Sequence, residues 1–290
     1  MSFALLFSER LRRAWQTQNS LLCVGLDPEW NRLPECITAG AIEPEAKARA
    51  VAEFSRRIVD AVQPYVCAFK PQYAFYGSLG PAGIRALEDT VRYIRARAPH
   101  ALVILDAKRA DIGNTSRMYA VEAFDVIGAD AVTVNPYMGG DALAPFLERA
   151  DRGVVVLCRT SNPGAAQLQD LWVRTDRGEA RLYQVVARLV AEEWNANGNC
   201  ALVVGATAPA QVAEVRAIAP DVPLLLPGIG AQGGDLAASV AAGLDSSGAG
   251  LIVNVSRAVL YASSGEQFAE AAAAAARSFT DQINSYRGVR

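Results

Sequence analysis

The chain has 290 residues, 51% hydrophobic and 20% charged, which is ample apolar material for a large core and excludes a disordered polymer. A formal net charge of −2 lacks the basic excess of a nucleic-acid binder, although one or two cations suffice for a phosphorylated small molecule. No run approaches the roughly 20 apolar residues of a membrane span, and the apolar stretch at 3–7 leads into Ser8-Glu9-Arg10 without the layout of a signal peptide. The expected location is therefore the cytoplasm, with neither nucleic acid nor membrane as partner.

A first amphipathic stretch at 8–17 reads as a helix, and after it short apolar or β-branched runs alternate with segments of helical period. The run at 21–26 predicts the first strand and 45–62 the helix that follows; the next pairs are 65–69 with 83–98, 101–106 with 115–127, and 130–134 with 141–150. The series continues with 153–159 and 179–195, 200–205 and 210–218, 222–227 and 235–242, and 249–254 and 266–286. Apolar residues fill most of these strand runs continuously rather than alternately, as parallel strands covered on both faces require. Eight such pairs predict an α/β chain folded as a (β/α)8 TIM barrel, a single domain over 1–290 with a short N-terminal helix. An open doubly wound sheet is the competing architecture, but Val24-Gly25-Leu26-Asp27-Pro28 offers no G-x-G-x-x-G after the first strand.

Of 28 basic residues only three are lysine: Lys47, Lys70 and Lys108. Where arginine meets nearly every cationic need, a retained lysine hints at a compact ammonium with a shiftable pKa. The single histidine, His100, follows Pro99 and reads as a loop-edge residue, which weakens Ser-His-Asp triads and multi-histidine metal sites. Cys23, Cys36, Cys67, Cys158 and Cys200 form no C-x-x-C pair and read as reduced, buried thiols.

In a barrel of this kind chemistry gathers at the C-terminal strand ends, and the charged residues gather there too. Strand one runs to Asp27, strand two to Lys70, strand three to Asp106 with Lys108 and Asp111 beyond, and strand eight into Ser256-Arg257. Residues two apart in an extended strand share a face, so Asp106 and Lys108 should point together into the barrel mouth. Carboxylates and ammoniums there would form an alternating network in which each charge stabilises its neighbours. After strand seven, Gly228-Ile229-Gly230-Ala231-Gln232-Gly233-Gly234 lets backbone N–H groups converge on an anion ahead of a helix, and Arg257 completes a phosphate site.

Asp106-Ala107-Lys108-Arg109-Ala110-Asp111-Ile112-Gly113-Asn114-Thr115 resembles the D-x-K-x-x-D-I-x-x-T signature of the orotidine 5′-monophosphate decarboxylase family. Gly25-Leu26-Asp27-Pro28, Phe69-Lys70-Pro71-Gln72, Ser161-Asn162-Pro163-Gly164, the loop from Pro227 to Asp235, and Asn254-Val255-Ser256-Arg257 extend the likeness over nearly the whole chain, toward the longer bacterial branch. The resemblance implies decarboxylation of orotidine 5′-monophosphate to UMP, without metal or cofactor, by a tetrad of Lys70, Asp106, Lys108 and Asp111. Within it Lys108 would deliver the proton to C6, and Asp106 would sit beside the substrate carboxylate. Asp27 would bind the ribose hydroxyls, Ser161 the pyrimidine amide, and Gln232, Gly233 and Arg257 the phosphate. It further implies a homodimer in which Asp111 and Thr115 serve the partner's site. Ser256 departs from the glycine common before the phosphate-binding arginine, and 162–177 reads equally as a lid or a surface loop.

Two other functions remain to be separated. Magnesium-dependent sugar-phosphate enzymes of the same superfamily share D-x-K-x-x-D, but their second strand ends in a carboxylate ligand where this chain has Lys70, and an ammonium repels a divalent cation. A non-catalytic nucleotide sensor would be favoured by a missing tetrad member, and none is missing.

Overall fold

The computed structural model describes residues 5–230 and 235–288. Its strands are β1 (Leu22–Leu26), β2 (Ala68–Pro71), β3 (Leu102–Arg109), β4 (Ala131–Val134), β5 (Gly153–Arg159), β6 (Trp172–Thr175), β7 (Gly178–Arg181), β8 (Cys200–Val204), β9 (Leu224–Leu226) and β10 (Leu251–Val255). Eight of them close into a parallel barrel in the order β1-β10-β9-β8-β5-β4-β3-β2, while β6 and β7 pair antiparallel outside it. The fold is the expected (β/α)8 barrel. Its continuous apolar strand runs are buried along their length, as in β1, β4, β8 and β10, because helices cover one face and the barrel interior the other.

The helices are α1 (Phe7–Gln18), α2 (Glu35–Thr38), α3 (Pro44–Val62), α4 (Tyr73–Gly77), α5 (Gly80–Arg97), α6 (Gly113–Val121), α7 (Gly140–Leu147), α8 (Leu182–Leu189), α9 (Pro209–Ile218), α10 (Leu236–Gly243), α11 (Arg257–Leu260) and α12 (Phe268–Tyr286). Helix α3 starts with Pro44 in its first turn, where a missing N–H costs nothing, and buries Val51, Phe54, Ile58 and Val62 on one stripe. Phe54 stacks on Phe268 of α12 with ring centroids 5.2 Å apart, joining the first and last units of the ring. Helix α1 covers the N-terminal end of the barrel with buried Phe7, Leu11, Ala14 and Trp15. Arg10 fixes it there through Asp130 at 2.5 Å, whose other oxygen accepts the N–H of Val103. With that end covered, the opposite one is left for ligands.

Several expectations need correction. Strand two begins at Ala68 rather than 65, because Gln63–Tyr65 with Pro64 at its centre forms a 3-10 turn. The helix expected from 179 begins at Leu182, since Gly178–Arg181 is a strand paired with Trp172–Thr175. That helix and α6 both end in a wider π-helical turn, over Val190–Trp194 and Glu122–Val126. Segment 162–177 is neither a bare loop nor free of ties: it holds a 3-10 turn at Pro163–Gln167 and the strand β6. Arg159 grips it through both oxygens of Asp170, at 3.2 and 2.9 Å. Four cysteines are buried as expected, but Cys36 is exposed, because it lies on the short α2 outside the barrel wall.

Candidate active site

Parallel pairing of β1, β2 and β3 sets the site. Gly25 lies opposite Lys70, and a bridge joins Gln72 to Asp106, so the polar ends of three adjacent strands reach one level. Asp106, 8% exposed, is held from both sides: its Oδ2 accepts from Lys70 Nζ at 2.8 Å and its Oδ1 from Lys108 Nζ at 2.7 Å. Lys70 is 4% exposed, whereas nearly half of the Lys108 side chain is open at the mouth. Two of the three lysines in the chain thus converge on one carboxylate.

Burial alone would push the Asp106 carboxyl up, but the two ammoniums prevail and hold it well below the usual carboxylate range. Burial likewise works against the charge on Lys70, yet Asp106 and Asp27 outweigh it and raise its pKa above the ordinary lysine value. As pH falls, Asp106 therefore stays ionised beyond the point where a free carboxylate protonates; as pH rises, Lys70 keeps its proton longer than a free lysine. The Lys70–Asp106 pair is intact across the whole neutral range, and its charge-assisted hydrogen bond offsets the desolvation of both members.

Asp27, Lys70, Asp106, Gly228, Ser256 and Arg257 line one cavity of about 190 Å³ at this end of the barrel. One carboxylate oxygen of Asp27 is buried with no hydrogen-bond partner among the described residues, an acceptor that the protein itself leaves unsatisfied. Arg257 opens α11 one residue after β10, and Gly228 takes φ +101° after β9, so cation and loop backbone both line the cavity. Gln232 and Gly233 lie outside the described residues.

Ser256, the departure from the expected glycine, has a specific accommodation. A Cβ at Gly25 would lie 2.0 Å from its Oγ, so the hydroxyl occupies space that the glycine leaves on the neighbouring strand, and Asn254 Nδ2 donates to it at 3.3 Å. Ser161 follows β5 and rests against the end of β8, where a side chain at Gly205 would lie 2.7 Å from its Cα. It stands at a neighbouring strand end rather than on the cavity wall.

Asp111 and Thr115 are not brought into this group. The Asp111 carboxylate accepts from the next backbone N–H, of Ile112, at 2.7 Å, and it makes no ion pair among the described residues; Thr115 is exposed on α6. Lys108 meets Asp106 by a route that strand alternation did not anticipate. The β3–β4 register shifts between Leu105 and Arg109, and Lys108 takes φ +48°. The bulge, rather than a shared strand face, turns its side chain onto Asp106. Gln72, Phe75 and Asn254 also line the cavity. Gln72 and Asn254 stand inside the motifs, which give them no role, and Phe75 has no signal in the sequence beyond its closeness to strand two. Among the described residues no three His, Cys, Asp or Glu side chains converge as a metal site.

Residues 20–272 match the family profile described as Orotidine 5'-phosphate decarboxylase / HUMPS family. The chain is 54% identical over 284 residues to the orotidine 5'-phosphate decarboxylase of Azoarcus sp. (strain BH72), covering 97% of this chain and 99% of that protein. The protein of that name from Aromatoleum aromaticum is 53% identical over the same shares. Among solved structures, the OMP decarboxylase of Leishmania donovani superposes with a TM-score of 0.83 at 39% identity, covering 98% of this chain and all of that one.

Proposed function

The chain belongs to the orotidine 5'-phosphate decarboxylase / HUMPS family, and from that premise we propose that the charged mouth of its barrel carries out the decarboxylation of orotidine 5′-monophosphate to UMP and CO2. The observation that carries this reading is Asp106 clamped between two ammoniums beside an open cavity. When the bond from C6 to the carboxylate breaks, its electron pair stays on C6, with no adjacent group to delocalise it. A preorganised ammonium at that point stabilises the charge as it develops. Lys108 is that ammonium: it gives its proton to C6 and regains one from solvent. Asp106 keeps Lys108 in place and lies beside the departing carboxylate, and Lys70 keeps Asp106 ionised.

The remaining assignments follow the cavity for Asp27, Gly228 and Arg257 and the family likeness for Gln232, Gly233 and Ser161. Asp27, with its unpartnered oxygen, takes the ribose hydroxyls; Arg257 with Gly228, joined by Gln232 and Gly233, takes the phosphate; and Ser161 takes the pyrimidine amide. Phosphate binding then supplies remote energy that holds the carboxylate near Asp106. A magnesium-dependent reaction on a sugar phosphate is disfavoured by Lys70, whose ammonium stands where that chemistry needs a carboxylate ligand. The direct test follows the loss of absorbance as orotidine 5′-monophosphate is consumed, with and without EDTA. The expected rate is unchanged by the chelator; activity that vanishes with EDTA and returns with Mg2+ would overturn the metal-free reading.

Arg257→Ala is expected to raise KM for the nucleotide about 10- to 100-fold, the loss of a charge-assisted contact, while leaving turnover of the unphosphorylated nucleoside nearly unchanged. Equal losses on the two substrates would make Arg257 structural.

The working form is a homodimer with Asp111 and Thr115 of each chain completing the other's site. In support, Ile112, Met118 and Val121 in the segment that carries Asp111 and Thr115, and Val126, Tyr137 and Met138 in the segments around β4, are exposed apolar residues. The place of action is the cytoplasm, where nucleotide precursors are made.

A further inference from the structure

We propose that Thr133 is a positioning residue for the reaction, its buried hydroxyl fixing the backbone turn that presents Lys108 to Asp106. Thr133 lies on β4 and is 1% exposed. Its Oγ1 donates to Asp106 Oδ1 at 2.8 Å and accepts from the backbone N–H of Ala107 at 3.0 Å and of Lys108 at 2.9 Å. One donor and two acceptor sites are all that a hydroxyl has, so every one is committed to the segment from 106 to 108.

The geometry explains why such a clamp is needed. Leu105 pairs with Val132 and Arg109 with Val134, so four residues of β3 pass while β4 advances by two. The N–H groups of Ala107 and Lys108 therefore leave the ladder and find Thr133 instead. Lys108 also sits at φ +48°, a left-handed conformation that a long side chain disfavours, and apart from Asn19 no other non-glycine residue among those described has positive φ. An unfavourable backbone at the residue bearing the ammonium persists only where its surroundings impose it. The hydroxyl and the ammonium share one oxygen of Asp106, so a single atom of Thr133 fixes both the backbone of Lys108 and the carboxylate it binds.

The inference rests on the role given to Lys108, and the experiment separates the two. Thr133→Val keeps the shape and removes the hydroxyl; Thr133→Ser keeps the hydroxyl. For orotidine 5′-monophosphate the valine variant is expected to lose about 10- to 100-fold in kcat, the cost of displacing a reacting group by about 1 Å, with KM within about twofold, and the serine variant to recover most of that loss. Three lysines make lysine-labelled protein simple to read by NMR. The Lys108 side-chain signal should move in the valine variant and return in the serine variant, while Lys47 stays fixed.

An unmoved Lys108 signal overturns the positioning role whatever kcat does. A moved signal with unchanged kcat overturns it too, and Lys108→Ala then shows whether the role of Lys108 falls with it: an inactive variant keeps Lys108 as the proton donor, an active one removes it. If the valine variant does not fold, Thr133→Ala takes its place with the same readouts; failure of both to fold would make the hydroxyl a requirement of the barrel and overturn the proposal.

Discussion

Lys108→Ala is expected to lower kcat for orotidine 5′-monophosphate by at least about 10²- to 10⁴-fold, the scale of removing a proton donor and a preorganised charge from a developing anion. UMP should still bind within a few-fold of the parent affinity, because the product has no carbanion for the ammonium to stabilise. The barrel should persist as well. Asp106 loses one partner but keeps Lys70 at 2.8 Å and the Thr133 hydroxyl at 2.8 Å, so no charge is left buried alone. Lys108→Arg should fail too: a guanidinium is a poor acid near neutral pH, and its planar fork does not reproduce the single short contact to Asp106 Oδ1. Steady-state rates and UMP titration on both variants decide the point. Retention of more than a few per cent of the parent kcat would remove Lys108 as the proton donor.

What could be read from the residues alone follows from how each feature is encoded. The barrel strands are continuous apolar runs covered on both faces, which leaves a compositional mark at every turn of the ring. The β6–β7 hairpin leaves almost none: its strands are four residues each, partly exposed, and carry Arg174, Thr175, Glu179 and Arg181, so the helical reading of α8 extends backward over 179–181. Asp27, Lys70, Asp106 and Arg257 were legible because parallel strands end at a common level, and charge at that level in an otherwise apolar element stands out. The left-handed turn at Lys108 was not, since nothing about a lysine signals positive φ. Alternation gave the right neighbours, Asp106 and Lys108, for the wrong reason. Thr133 was hidden differently: in Ala131–Val134 it passes for one more β-branched strand residue, and only the position of its hydroxyl separates it from valine.

Asp111 gives the most discriminating test, because it follows Lys108 by three residues and yet makes no ion pair with it, its carboxylate instead accepting from the N–H of Ile112. In a two-fold dimer each site would take Lys108 from one chain and Asp111 from its partner. Lys108→Ala and Asp111→Ala are each expected to be inactive alone. When the two are mixed under conditions that exchange subunits, a mixed dimer holds one site with both defects and one with none. Random pairing makes roughly half the dimers mixed, so about a quarter of all sites should regain full activity by the symmetry of the interface. Were both residues to serve the same chain's site, every site would carry one defect and the mixture would stay dead. Absence of recovered activity after subunit exchange had been demonstrated by mass spectrometry of the mixed dimer would place Asp111 in its own barrel and refute the shared site.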